Sequence, residues 1–429
     1  MSLRIAVLCP HFAPDTAPTG DVMTRIVTEL AALGHEIHVV TSLPWYRTHQ
    51  VDHSWTGRLI RRESTPWGSV TRVDPFAGDD KRNLVRRAVG FVGFSLLTGL
   101  VSLPGGRVDA VIAMSPPLTL GLTGWVTHLV RRGPLVFNIQ DVFPDAAVQT
   151  GAITDRRVIA LARWLERVSY RRAAAITVLS EDLRDNVAAK VRPSERERVH
   201  VITNFVDTEA IRPGPRSTAL RAEMGLGDEP VVMYAGNVGY SQSLELLVHA
   251  ADKLPEVSFV IVGDGSAKAD LVSSAEGRAN IRFAPYQPKQ RLAELLTTAD
   301  LHVVPLRRGL GGVSVPSKTY SILAAGRPIL ASIDPGTEVP RILAESGAGR
   351  SVRPDDADAF VGALREMLAD PSALDDAGRA GRLWVERAAS PAAVAEAYAN
   401  LITGLAAGRP RRRHDRWTRR RRLSGDAAR

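Results

Sequence analysis

Short runs of Val, Ile, Leu and Ala recur through the chain, each followed by a stretch with helical spacing, and this alternation constrains the fold most. Arg4 to Leu8 is the first run. Val22, Ile26, Val27, Leu30 and Leu33 then recur at helical spacing, and Gly34 supplies a stop before the second run, Ile37 to Val40. The chain therefore opens with a βαβ unit. Further strands are predicted at Val108 to Ala113, Leu135 to Ile139, Ala174 to Leu179, Pro230 to Ala235, Val257 to Val262, Ile281 to Phe283, Leu301 to Pro305 and Pro328 to Ser332. Such alternation predicts an α/β protein with doubly wound sheets.

A chain of 429 residues exceeds what one core accommodates, so two domains are expected. Residues 1–195 form the first and residues 205–389 the second, with the boundary near Val199 to Asp207, just ahead of a Pro-rich stretch at Pro213 and Pro215. The ligand cleft is expected between them. Val394, Ala397, Tyr398 and Leu401 share a helical face, so terminal helices at about 390–406 can pack back on the first domain. Residues 407–429 have no apolar period and read as a disordered tail. This tail holds ten Arg from Arg409 onward against Asp415 and Asp426, a charge of +8 out of the chain's +9, so the body is nearly neutral.

The stretch Ser314 to Glu338, SVPSKTYSILAAGRPILASIDPGTE, carries the strongest chemical signal. A helix beginning near Pro316 places Ser317 and Lys318 in its first turn, where a structural helix favours Asp or Glu. Helix N-termini bind anions, and the glycines at Gly309, Gly311 and Gly312 allow close approach, so a phosphate group is expected there. In open α/β sheets ligands lie outside the carboxyl ends of the strands. Ser115, Asp141 and Asp145 follow two strands of the first domain and fall where an acceptor hydroxyl can be gripped, although either aspartate equally suits a helix cap. Gly20 begins the first helix, where a glycine serves ligand approach or simple capping alike.

Several classes are set aside. The Pro-rich loop CPHFAPDTAPTGD is not the compact Gly-x-Gly-x-x-Gly turn of a nicotinamide enzyme. One cysteine, Cys9, rules out a disulfide framework, and no His/Cys cluster or carboxylate pair has metal-ligand spacing. The N-terminus has no signal-peptide pattern, and a reducing, cytoplasmic compartment is expected. Pro44 to Asp74, with four large aromatics and little periodicity, reads as a long mobile segment over the site. Ala88 to Leu103 is apolar and preceded by Lys81, Arg82, Arg86 and Arg87, which suits either a core helix or one lying in the interface of an anionic membrane.

Read in order, the segments YAGNVG, IVGDG, ADLHVVPL, PSKTYSILAAGRPILA and Glu338, with the opening strand and its P-x-F-x-P loop, resemble retaining glycosyltransferases of family 4. SPPLTLGL, QDVFPD and GNVGYSQSLELL look similar to capsule, O-antigen and colanic-acid transferases, including fucosamine transferases. The resemblance implies a GT-B fold, two Rossmann-like domains facing across a cleft. It implies a nucleotide-sugar donor, UDP-linked by preference, and a glycan or polyprenyl-diphosphate-linked acceptor, with no metal or other cofactor and no nucleic-acid partner. It implies donor contacts at Gly20, Asn237, Gly239, Gln242, Gly263, Ser317, Lys318 and Glu338. Catalytic roles fall to Lys318 and Asp141, and acceptor contacts to Asp145 and Ser115.

The sequence also departs from the family pattern. Asn237 and Gln242 stand where relatives carry Arg and Lys, and Val313 and Ser321 where they carry paired Glu. Lys318 is then the main cation for the diphosphate, beside amides at Asn237 to Gly239. Peripheral association with the inner face of the plasma membrane follows as an expectation from the apolar helix. The rival readings are a nucleotide-sugar epimerase of similar architecture and a nucleic-acid binder acting through the tail.

Overall fold

The computed structural model describes residues 2–46, 50–76, 84–145, 148, 153–310 and 316–407. The tail, Gly311, Gly312 and Val313 lie outside the described residues. The first half runs β1 (Arg4–Leu8), α1 (Pro18–Ala32), β2 (Glu36–Ser42), β3 (Ile60–Thr65), β4 (Gly68–Val73), α2 (Leu84–Ser102), β5 (Ala110–Ser115) and α3 (Thr119–Arg131). It continues with β6 (Leu135–Ile139), α4 (Arg156–Arg172), β7 (Ala175–Val178), α5 (Glu181–Lys190) and β8 (Val199–Val201). These strands form one sheet in the order β3-β4-β2-β1-β5-β6-β7-β8, parallel except where β3 meets β4. Every residue of β5 and β6 is buried, because helices cover both faces, which is why those strands read as unbroken apolar runs.

The segment Pro44 to Asp74 differs from its expectation. It folds as a hairpin, with β4 added in parallel to β2 and β3 closing the edge. The sequence hides β3 because IRREST is an edge strand with mostly exposed side chains and no apolar alternation. Gly68 is required there, since its φ is +144° and a Cβ would come 2.0 Å from the Ile37 carbonyl oxygen. The hairpin also builds the site. Arg72 of β4 is almost wholly buried, donates from Nε to Glu63 Oε1 at 3.1 Å and from Nη2 to the Ala13 carbonyl at 2.6 Å. The Pro-rich loop after β1 is thus pinned from β4, two strands away in the sheet.

The second half runs α6 (Ala219–Glu223), β9 (Val231–Ala235), α7 (Glu245–Lys253), β10 (Ser258–Val262), α8 (Lys268–Ser274), β11 (Ile281–Ala284), α9 (Leu292–Thr298) and β12 (Leu301–Pro305). It ends with α10 (Lys318–Ala324), β13 (Ile329–Ser332), α11 (Glu338–Ser346), β14 (Gly349–Val352), α12 (Ala357–Leu368), α13 (Pro371–Ala388) and α14 (Pro391–Ala407). Its sheet has the order β11-β10-β9-β12-β13-β14, all parallel. Helix α14 crosses back to the first sheet, where Val394, Tyr398 and Ile402 pack with Met23, Ile26 and Leu30. Tyr398 is fully buried, and its hydroxyl accepts from Asn138 Nδ2 at 2.7 Å, so the crossing is fixed by a satisfied polar contact inside the core.

Candidate active site

Lys318 is the first residue of α10, a helix of two turns whose Thr319, Tyr320, Ile322, Leu323 and Ala324 are buried. That packing fixes where the lysine points. Its Nζ stands 3.8 Å from the centroid of the Tyr234 ring, and a Cβ on Gly236 would lie 2.8 Å from it. The ammonium therefore sits against the loop that follows β9. Burial pushes its pKa down from 10.5 to about 7. Among the described residues Lys318 forms no ion pair, and the Tyr234 ring face is the partner its half-buried ammonium meets. Ser317 is exposed and its hydroxyl does not cap the helix.

The loop itself is held from within. Tyr234 donates its hydroxyl to the Asn237 carbonyl at 2.6 Å. The Gly239 amide donates to Gln242 Oε1 at 3.1 Å and the Val238 amide to the Asp264 carbonyl at 2.9 Å. Of the amides expected to form a cradle at Asn237 to Gly239, those of Val238 and Gly239 thus have acceptors within the protein. Gln242 consequently shapes the loop. Gly263 has φ +143°, and a Cβ there would come 1.9 Å from the Gly236 carbonyl oxygen, so it lets the turns after β9 and β10 touch backbone to backbone.

On the other sheet, Asp141 follows β6 and is exposed, with no hydrogen-bond partner for its carboxylate among the described residues. Nearby protein atoms thin its hydration and raise its pKa above the usual range. Asp145 is not free: Lys190 Nζ lies 2.7 Å from its Oδ2 and 2.7 Å from Glu166 Oε1, an arrangement that braces α4 against α5. Ser115 is completely buried, and its hydroxyl has no hydrogen-bond partner among the described residues. Gly20 is buried in α1, where a Cβ would come 2.9 Å from His11 Cβ. The glycine thus makes room for His11, a residue that pattern reading missed. His11 Nδ1 lies 2.7 Å from Asp15 Oδ2, and the ring stacks on Trp45 with centroids 5.5 Å apart. The signal was a His and an Asp four residues apart in a loop beyond a strand.

Glu338 opens α11 and faces the first domain. Its Oε2 accepts from the Glu181 amide at 3.4 Å, at the start of α5. One turn on, Arg341 Nη2 lies 2.6 Å from Asp182 Oδ2. The two domains therefore meet where the carboxyl ends of their strands come together. Burial raises the Glu338 pKa, partly offset by the Glu181 amide and Arg341. No group of three or more His, Cys, Asp or Glu suited to a metal occurs among the described residues.

An ammonium without an ion-pair partner among the described residues, beside a glycine loop, suits binding an anionic group. Comparison with known families decides the class. The pattern of the family described as "Glycosyl transferase 4-like domain" matches residues 19–204, and that of "Glycosyl transferases group 1" matches residues 229–370. The two glycosyltransferase patterns occupy successive parts of the chain, which marks it as a glycosyltransferase. It is similar to WcaI of Escherichia coli (strain K12), described as a colanic acid biosynthesis glycosyl transferase, at 27% identity over 94% of this chain and 100% of that one. It is also similar to D-inositol 3-phosphate glycosyltransferase of Nocardia farcinica, at 27% identity over 86% of this chain and 83% of that one. Among solved structures, sucrose-phosphate synthase from Thermosynechococcus elongatus superposes with a TM-score of 0.67 at 18% identity, covering 95% of this chain and 100% of that chain. Anabaena HepE in complex with UDP and glucose superposes at 0.61 and 12% identity, over 94% of this chain and 100% of that chain.

This glycosyltransferase has the GT-B fold of two Rossmann-like sheets. The epimerase and nucleic-acid readings find no support in these matches.

Proposed function

We propose that this enzyme transfers a sugar from a nucleoside-diphosphate sugar, with UDP as the preferred nucleotide, to a glycan or polyprenyl-diphosphate-linked acceptor, with retention, in cell-surface polysaccharide assembly. The observation that carries the reading is the Lys318 ammonium, desolvated and unpaired beside Gly236. A half-buried, partly desolvated cation without a counter-ion is costly, and a bound diphosphate supplies the missing charge. The colanic acid role of WcaI and the UDP bound to HepE agree with this donor and this pathway class.

In the reaction the bond from the anomeric carbon to the phosphate oxygen breaks with oxocarbenium character, and its electron pair leaves with the nucleoside diphosphate. Lys318 stabilises that departing charge, so no resident metal is required for it. The acceptor hydroxyl attacks on the face the leaving group vacates, and its proton passes to the departing phosphate oxygen. Asp141, projecting from the opposite sheet, orients that hydroxyl. Glu338 and Arg341 keep the two halves of the cleft together at one side. The test is nucleotide release across a panel of UDP-, GDP- and ADP-sugars, with and without a polyprenyl-diphosphate-linked acceptor. Acceptor-dependent UDP release supports the reading; sugar isomerisation without acceptor, or no release from any donor, refutes it.

A further inference from the structure

Helices α2, α3 and α4 lie side by side over one face of the first sheet, with α3 touching both neighbours. Besides the apolar residues they send into the core, they carry aliphatic residues outward. On α2, Val92, Leu96 and Leu100 are spaced four residues apart and are 47%, 65% and 68% exposed. Ser95, Thr98 and Ser102 face the protein instead and are nearly or fully buried. Ser95 Oγ lies 2.7 Å from Thr119 Oγ1, and Ser102 Oγ lies 2.7 Å from Thr127 Oγ1, so hydroxyls join α2 to α3. On α3 the exposed positions are Val126, Leu129 and Val130, while Gly121, Thr123, Gly124 and Thr127 are buried. Small and hydroxyl residues between helices, with aliphatic residues outward, is the arrangement of helices whose outer medium is hydrocarbon.

Helix α4 adds charge. It exposes Val158, Leu161 and Trp164 among the six arginines Arg156, Arg157, Arg163, Arg167, Arg171 and Arg172. Its single acidic residue, Glu166, is buried and held by Lys190 and Tyr170. Arginine and tryptophan around an apolar centre match the headgroup boundary of an anionic bilayer.

We propose that the outward faces of α2, α3 and α4 are a docking surface for an anionic lipid bilayer, which the protein enters without crossing. No helix among the described residues is long and apolar enough to span a membrane. Charge complementarity selects this occupant over a second copy of the chain. A two-fold dimer on this face would set the α4 arginines of both protomers against each other. The surface is independent of the reaction assigned above.

The Arg-rich tail would also attract anionic lipid, so the test separates the two. Full-length protein is floated with phosphatidylcholine vesicles, with and without phosphatidylglycerol, at low salt and at 1 M salt, where the screening length falls to about 3 Å. Hydrogen exchange is read with and without vesicles. Binding to the phosphatidylglycerol vesicles is expected to survive in part at high salt, with new protection in α2, α3 and α4. The combined variant Leu96→Glu, Leu129→Glu, Trp164→Glu should lose the salt-resistant fraction by about tenfold or more while keeping its circular dichroism. A variant with Arg411 to Arg413 and Arg419 to Arg422 changed to Gln should retain it. The proposal is overturned if the face variant binds as well as wild type or if protection is absent from the three helices. It is equally overturned if light scattering shows a dimer that the face variant dissolves. Should the face variant misfold, the wild-type exchange pattern decides alone.

Discussion

Lys318 and Tyr234, 84 positions apart in sequence, meet with the ammonium 3.8 Å from the ring centroid. The aromatic face is the only partner the structure offers this cation among the described residues. A lysine in that state binds an anion strongly, at a cost to the empty protein. Lys318→Ala is therefore expected to fold normally and lose about 10²-fold in turnover, some ~3 kcal/mol of transition-state stabilisation. Steady-state nucleotide release checks this, and turnover near wild type would exclude the lysine from the reaction. UDP should raise the melting temperature of wild type and not of the variant.

The same group predicts a pH dependence. Its pKa falls from 10.5 to about 7 on folding, so between those values the unfolded chain binds the extra proton. Stability from this group accordingly rises with pH through that window, and the full penalty applies below pH 7. Lys318→Met should raise the melting temperature of the ligand-free protein more at pH 6 than at pH 9. Equal gains at both values would mean that the lysine is not desolvated. Diphosphate binding favours the charged form, so UDP binding at pH 8 should take up close to one proton, readable by calorimetry in buffers of different ionisation enthalpy.

Gly263→Ala tests the backbone contact behind the donor loop. With φ +143° and a Cβ 1.9 Å from the Gly236 carbonyl oxygen, neither turn can stay in place. A loss of about 3 kcal/mol or more in chemical denaturation is expected, combining strain with disruption of packing. A variant as stable as wild type would show that the two turns do not touch.

Arg341 and Asp182 couple the domains through a half-buried pair at 2.6 Å. Such a pair contributes about 1 kcal/mol, enough to change the ratio of closed to open cleft roughly fivefold. Arg341→Ala should raise the donor KM by about that factor with little change in kcat, and enlarge the radius of gyration in solution scattering. An unchanged KM together with an unchanged radius would leave the pair without a role in closure.

The apolar strands, the glycine stops and the two-domain plan follow from the sequence because they rest on local periodicity. Strands buried on both faces carry unbroken aliphatic runs, and β5 and β6 show this at every position. Lys318 was legible as a phosphate candidate for the same local reason, a cation in a helix's first turn. What tertiary structure alone decided depends on residues distant in the chain. Tyr234 desolvates the lysine, Gln242 and Asp264 occupy the amides that the motif offered, and Lys190 engages Asp145. The edge strand β3 and the outward-facing aliphatics of α2 belong to the same class. Periodicity gives the spacing of a face but not its direction, which is set by the neighbour it packs against.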